Sequence, residues 1–169
     1  AGLISNLQYM MEHQGIHDNH NAPAFLQCYG RMPDIIRELA AQGKNPRVML
    51  DYSGNLLWGL RKMNQGWVLD NLATVTSGGD LVRHVEWLGT MWSHSLVGST
   101  PIPDIRLHMY AWRHQFSAIF GSDALARVKG FSPREMQIHI HPDVCYEYVK
   151  ALKDCGYEWV MLQEHTIEN

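Results

Sequence analysis

The stretch "RVMLDYSGNLLWGLRKM", residues 47–63, combines a short strand-like run with a helical pattern. Residues 47–52 are rich in strand-forming side chains and carry a carboxylate, Asp51, near their end. Ser53 then stands at the N-cap position of the helix that follows. Parallel sheets are built from strands that pass directly into helices. The stretch therefore predicts an α/β fold.

A long helix is predicted upstream, over residues 24–42, with Gly43 as its stop and Pro33 as an interruption. Its apolar stripe consists of Phe25, Tyr29, Met32, Ile36 and Leu39. These positions recur every three to four residues, which is the period of one helix face. We expect this stripe to face the core.

A second long helix is predicted after the turn "TPIPD", residues 100–104, and Gly121 ends it. Its inward face consists of Ile105, Met109, Trp112, Phe116 and Phe120. The strand-like "RVKGF" at 127–131 follows, then a helix over 142–156 and the strand "YEWVMLQE" at 157–164. Strands that alternate with helices of this length indicate βαβ units and a parallel sheet.

Composition limits the classes of partner. The chain of 169 residues has a net charge of −3 and no cluster of Lys and Arg, which excludes nucleic acid and anionic membranes as expected partners. No apolar run is long enough for a membrane span, and the first residues lack the features of a signal peptide. Three cysteines without a regular spacing indicate reduced thiols. We expect a cytoplasmic protein.

Candidate site residues follow from the position of polar side chains at strand ends, where loops of an α/β fold share one crevice. This rule selects Asp51, the segment "VEWLGTMWSHS" at 85–95, Glu135, and "QEH" at 163–165. Any one of these acidic residues could instead be a helix N-cap or a solvated loop charge. Four such sites in order favour a common site.

Three segments together carry a resemblance to family 57 glycoside hydrolases. "GFSPREM" at 130–136 resembles the family's nucleophile motif, in which a glutamate ends a barrel strand. "VEWLGTMWSHSLVGSTP" at 85–101 resembles the preceding motif, and "GYEWVMLQEHTIE" at 156–168 is similar to the strand after the nucleophile. Over its whole length the chain most resembles the cyanobacterial-type members, which are described as glycosidases.

The resemblance implies a retaining glycoside hydrolase or transglycosidase that acts on α-glucan without a cofactor. It implies that Glu135 is the nucleophile and that Glu86 and His94 line the sugar site. The implied fold is an incomplete, seven-stranded TIM-like barrel, of which residues 1–169 would form the middle, without the first strand and the later strands. The remainder of the catalytic domain, or a partner chain, would complete it.

The sequence also departs from the family pattern. The family's first motif is absent, its general acid is expected beyond Asn169, and Ser132 replaces the tryptophan of the nucleophile motif. A retaining enzyme needs two carboxyl groups about 5 to 5.5 Å apart, one ionised and one protonated. Arg134 could hold Glu135 ionised, or it could point to the opposite face, as successive strand residues do.

The remaining predicted substrate-binding residues are Trp92, Asp51, Glu164 and His165. Trp92 offers a ring on which a sugar could stack. The pattern does not decide among hydrolysis, glucan transfer and branching.

Two other functions stay open at this point. Without a general acid the chain would be a non-catalytic carbohydrate-binding or assembly subunit. The ten histidines allow a metal-dependent, polysaccharide deacetylase-like hydrolase. Those with suitable spacing are His13, His17, His20, His139 and His141. Because Gly15 and the neighbouring polar residues favour a loop and no HExxH motif is present, we expect no metal site.

Overall fold

The computed structural model describes residues 5–138 and 141–164. The helices in this part of the chain are α1 (Asn6–Glu12), α2 (Ala22–Ala41), α3 (Gly54–Lys62), α4 (Gly66–Ala73), α5 (Ile102–Phe120), α6 (Ser122–Ala126) and α7 (Pro142–Asp154). The strands are β1 (Val48–Leu50), β2 (Val85–Gly89), β3 (Gly130–Phe131) and β4 (Trp159–Val160). Short 3-10 helices cover His17–Asn21, Asp80–His84, Val97–Ser99 and Arg134–Met136.

The chain divides into two compact units. The helical unit comprises the described residues up to Val48 together with Asn55–Val85. The sheet unit comprises Met49–Gly54 and the described residues from Glu86 onward. The sheet unit holds the strand ends that the sequence selects as a site.

The four strands form one sheet in the order β1-β2-β3-β4, and β2, β3 and β4 run parallel. Leu88 pairs with Gly130, and Gly130 pairs with Trp159. A side chain at Gly130 would collide with the Trp159 ring, since an added Cβ would lie 2.2 Å from a ring carbon. The α/β class and the parallel sheet are confirmed, whereas seven strands are not shown.

An aromatic cluster forms the core of the sheet unit. Trp87 of β2 lies with its ring centroid 5.2 Å from that of Phe116 and 5.4 Å from that of Phe120. Trp112 is fully buried and donates from Nε1 to the Tyr52 carbonyl at 2.8 Å. The buried residues of α5 are Ile105, Met109, Trp112, Phe116 and Phe120, which confirms the predicted inward face.

Helix α2 of the helical unit corrects two predictions. It continues through Pro33, whose missing N–H is offset by packing because both Pro33 and Ile36 are buried. Its buried residues are Ala22, Leu26, Gly30, Pro33 and Ile36, so Ile36 alone belongs to the predicted stripe, and Phe25 is exposed. The reason is close packing of α4: an added Cβ on Gly30 would lie 2.2 Å from the Trp67 ring. Asn71 also donates to the Gly30 carbonyl at 2.7 Å.

The strands at the end of the sheet are shorter than predicted. Of residues 127–131 and 157–164, only Gly130–Phe131 and Trp159–Val160 form strand structure. Backbone bonds from Glu158 to Lys129 and from Met161 to Phe131 extend the pairing by one residue at either end. None of the helices in the described ranges has the length and apolarity that crossing a membrane requires.

Candidate active site

Polar side chains of the sheet unit gather where β1, β2 and β3 end. Asp51 directly follows β1, Thr90 directly follows β2, and Ser132 directly follows β3. Parallel strands bring their carboxyl ends to the same edge of a sheet, so loops after them converge there. This edge is the candidate active site.

Four residues at this edge form a hydrogen-bonded group that we call the strand-end cluster: Asp51, Thr90, Ser132 and Arg134. Arg134 Nη2 donates to Asp51 Oδ1 at 2.8 Å and also to the Thr90 hydroxyl. The fully buried Thr90 donates in turn to the Ser132 carbonyl at 2.8 Å. The Arg134 side chain is 15% exposed and that of Asp51 is 29% exposed. Arg134 is thus the more buried partner, held by a charge-assisted bond to Asp51 and a second bond to Thr90.

Glu135 follows Arg134 and points to a different partner. Its Oε1 lies 2.7 Å from Nε2 of His94, and the two side chains are 55% and 65% exposed respectively. An ionised carboxylate only accepts hydrogen bonds, so Nε2 of His94 carries the donated hydrogen. We call these two residues the exposed pair. The geometry suits a carboxylate that is held in one orientation and open to a ligand.

The backbone at Glu135 adopts an unusual conformation. Glu135 has φ 57° and the next residue, Met136, has φ 49°, both in the left-handed region. Non-glycine residues rarely occupy this region, and two in succession need support from their surroundings. The Gln163 N–H, in the segment after β4, donates to the Met136 carbonyl at 3.0 Å. The turn is thus held from the β4 side as well as by Arg134.

The loop that carries His94 contacts α5. The hydroxyl oxygens of Ser93 and Ser95 lie 2.8 Å apart, and Ser95 Oγ lies 3.5 Å from Nε2 of His108. Burial lowers the pKa of His108, while the nearby carboxylate of Asp104 acts in the opposite sense. A neutral His108 imidazole therefore lies behind the loop that presents His94.

A groove of about 350 Å³ runs beside this turn. Its lining residues are Leu96, Val97, Gly98, Ser99, Arg134, Gln137 and Ile138. Arg134 Nε is buried and has no hydrogen-bond partner among the residues that the structure describes. One donor of the guanidinium is therefore left unsatisfied within the wall of the groove.

Tyr148 of α7 packs under the same region, with its ring edge-on to Phe131. Burial raises its pKa, Tyr157 raises it further, and the Arg134 guanidinium opposes the shift. Tyr148 therefore stays a neutral phenol beneath the arginine.

The structure does not bring all predicted site residues together. The exposed Glu86 is the second residue of β2, three positions before the strand ends, or roughly 10 Å along the strand from the candidate edge. The half-buried Trp92 packs on backbone, since an added Cβ on Gly54 would lie 2.4 Å from its ring. Glu164 is exposed and adjoins Gln163, which binds the Met136 carbonyl. His165 lies outside the described residues.

Two members of the strand-end cluster have roles that the sequence interpretation missed. Arg134 and Glu135 lie in a 3-10 helix after β3, so strand alternation does not apply to them, and Arg134 pairs with Asp51. Thr90, which directly follows β2, lies inside the selected segment 85–95 but was not singled out as a site residue. The strand-end rule, applied to neutral hydroxyl side chains as well as to charged ones, would have selected it.

The amino-terminal histidines make local contacts. His13 Nδ1 donates to the Tyr9 carbonyl at 2.9 Å, and its ring stacks on that of Tyr9. His20 Nδ1 lies 3.3 Å from the His17 carbonyl. Within residues 5–138 and 141–164, no three His, Cys, Asp or Glu side chains lie close enough to hold a metal ion. His139, which the metal hypothesis included, lies outside these ranges.

Comparison with known proteins gives a likeness of fold. The chain superposes on the crystal structure of 4-α-glucanotransferase from Thermococcus litoralis with a TM-score of 0.59 and 20% sequence identity. The aligned part covers 78% of this chain and 18% of the glucanotransferase chain. No protein-family model and no curated protein sequence matches the chain. The aligned part of this chain thus shares a fold with a small part of a much longer enzyme.

Proposed function

We propose that the chain carries the nucleophile of a retaining glycosidase or transglycosidase that acts on α-glucan. The observation that carries this proposal is the 2.7 Å contact between His94 Nε2 and Glu135 Oε1 at the carboxyl edge of a parallel sheet. The sequence likeness of "GFSPREM" to a glycosidase nucleophile motif supports it. So does the fold shared with part of a 4-α-glucanotransferase.

In the first step of the proposed reaction, a carboxylate oxygen of Glu135 attacks the anomeric carbon of a glucosyl unit. The bond to the departing glycosidic oxygen breaks with its electron pair, and that oxygen takes a proton from a second, protonated carboxyl group. In the second step a water molecule or a sugar hydroxyl attacks the same carbon and gives its proton to the second carboxyl group, which the first step left ionised, while the bond to Glu135 breaks and its carboxylate leaves. Two inversions retain the α configuration.

His94 acts in this scheme as the group that orients the nucleophile. Its Nε2–H binds one oxygen of Glu135, which leaves the second oxygen to approach the sugar. Both side chains are more than half exposed, so a substrate can reach them without prior movement of the core. Trp92 and Glu164 remain proposed sugar contacts, and Glu86 is left out because of its place near the start of β2.

A mechanism-based reagent tests the proposal. A 5-fluoro-α-glucosyl fluoride reacts with the nucleophile of a retaining α-glycosidase and leaves a slowly hydrolysed ester, which peptide mapping locates. We expect label on the peptide that contains Glu135, and none in the Glu135→Gln variant. Glu158→Gln is the matched control, because Glu158 is an exposed carboxylate paired with Lys129 before β4.

Azide provides a second test. In a Glu135→Ala variant, azide can enter the space of the missing carboxylate and attack the anomeric carbon, which produces a β-glucosyl azide from an α-glucoside. In the experiment with the fluoride reagent, label on a residue other than Glu135 would overturn the proposal. No label together with retained glucan binding would also overturn it. The second of these results would favour a non-catalytic carbohydrate-binding or assembly role.

A further inference from the structure

The nucleophile proposed above belongs to a turn that would not hold its shape alone. Glu135 and Met136 both have left-handed backbone conformations, and neither is a glycine. Such residues keep these conformations only where the surrounding contacts determine them. The Glu135 side chain makes one described contact, to the exposed His94, which is itself part of a loop. The support must therefore come from the neighbouring residues.

Arg134, immediately before Glu135, supplies support on one side. Its guanidinium reaches from the end of β3 to the hydroxyl of Thr90 after β2 and to the carboxylate of Asp51 after β1. Thr90 is fully buried and returns a hydrogen bond to the Ser132 carbonyl, two residues before Arg134. Three strand ends are thus tied together through one side chain. On the other side of the turn, the Gln163 N–H holds the Met136 carbonyl.

We propose that the Asp51–Arg134 ion pair is a clamp that positions Glu135, so that both are positioning residues and Asp51 is not a sugar ligand. This inference rests on the proposed function of Glu135. Asp51 Oδ1 is engaged by Arg134, and the Asp51 side chain is less exposed than either member of the exposed pair.

Substitution of Asp51 provides the test. Asp51→Ala deletes the acceptor of the clamp, and Asp51→Asn retains an oxygen that can still accept from Arg134. Asp154→Ala is the matched control, because Asp154 binds Arg106 at a similar distance, 2.7 Å, between α7 and α5, away from the turn. For each protein we would measure the rate of covalent labelling at saturating reagent, the reagent concentration at half-maximal rate, and amide hydrogen exchange at Gln163.

For Asp51→Ala we expect the saturating labelling rate to fall about tenfold or more, because a misplaced nucleophile loses its near-attack geometry. The half-saturating concentration should stay within about twofold of the wild-type value. Exchange at the Gln163 amide should accelerate, since its acceptor belongs to the released turn. Asp51→Asn should recover part of the rate, and Asp154→Ala should change none of the three quantities.

A raised half-saturating concentration with an unchanged rate would show that Asp51 binds the sugar, and it would overturn the clamp. Unchanged exchange at Gln163 would also overturn it. If the wild-type protein takes no label at Glu135, the proposed function fails, while the exchange comparison between Asp51→Ala and Asp154→Ala still tests the clamp. The two failures are therefore distinguishable.

Discussion

The strand-end cluster and the exposed pair meet in the chain at Arg134 and Glu135, and they differ in solvent exposure and in the number of hydrogen-bond partners. The Arg134 side chain is 15% exposed and donates to both Asp51 and Thr90, whereas the His94 and Glu135 side chains are more than half exposed and bind each other. Burial with several partners makes a side chain rigid, and exposure with one partner leaves it accessible. Of two adjacent charged residues, the more buried Arg134 is therefore suited to support the structure, and the more exposed Glu135 is suited to meet a ligand.

The largest effect is expected from the exposed pair. Glu135→Gln keeps the shape of the side chain and removes the carboxylate, so turnover of an α-glucoside should fall by roughly 10³-fold or more, about 4 kcal/mol in the barrier. Because Glu135 is exposed, the free energy of unfolding should change by less than about 0.5 kcal/mol. Steady-state kinetics and urea unfolding check these two expectations. A large loss of stability would contradict the division of roles.

A smaller effect, on stability, is expected at Gly89, whose carbonyl accepts from Ser132 in the strand-end region. A Cβ at this position would lie 2.3 Å from the buried Tyr157 ring. Gly89→Ala should therefore destabilise the protein by about 3 kcal/mol, as overpacking does. Gly66→Ala is the control, since a Cβ there meets no atom within 4 Å and the position is helical. The control should be neutral or slightly stabilising in thermal unfolding.

Thr90→Val tests the hydrogen bonds of the cluster with less change of volume. The substitution leaves the Ser132 carbonyl and one Arg134 donor without their partner, which should cost about 1 to 3 kcal/mol. Thr90→Ser keeps the hydroxyl and should recover most of this loss. Chemical denaturation of both variants measures the difference. Equal stability of Thr90→Val and Thr90→Ser would show that the hydroxyl does not hold the cluster.

The smallest effect is expected at His108, behind the exposed pair. Its pKa in the folded protein lies below the value of about 6.5 in an unfolded chain, so the unfolded state binds more protons and stability rises with pH. This contribution is present above about pH 6.5 and is lost as the pH falls through the folded-state pKa. His108→Gln should flatten the slope of stability against pH between pH 7.5 and about 5, and urea unfolding at a series of pH values measures this slope.

The sequence predicted best where large apolar side chains mark a buried face. All five predicted residues of α5 are buried, and three of them, Trp112, Phe116 and Phe120, belong to the aromatic core beside β2. The buried face of α2 includes Gly30, which has no side chain, and Ala22, whose side chain is one methyl group. Neither adds to an apolar periodicity, so the pattern predicted the wrong face of the helix. Apolar periodicity identifies a face that inserts into a core. It does not identify a face that another helix approaches closely.

The site shows a similar limit. Position after a strand was sufficient to select Asp51 and Glu135, and likeness to a motif added His94. The pairing of Arg134 with Asp51 could not be predicted, because it depends on which strands are neighbours and on the direction of one long side chain. The placement of Glu86 near the start of β2 likewise depends on where the strand begins, and the sequence does not fix that boundary.

The left-handed backbone at Glu135 limits which amino acids an engineer can introduce there. Asparagine, aspartate and glycine adopt this conformation at little cost, whereas valine, isoleucine and threonine resist it. In a saturation library at this position, expression level should therefore rank variants by their backbone preference, independently of charge. Asparagine would then be the most suitable inactive replacement for crystallisation with an intact oligosaccharide.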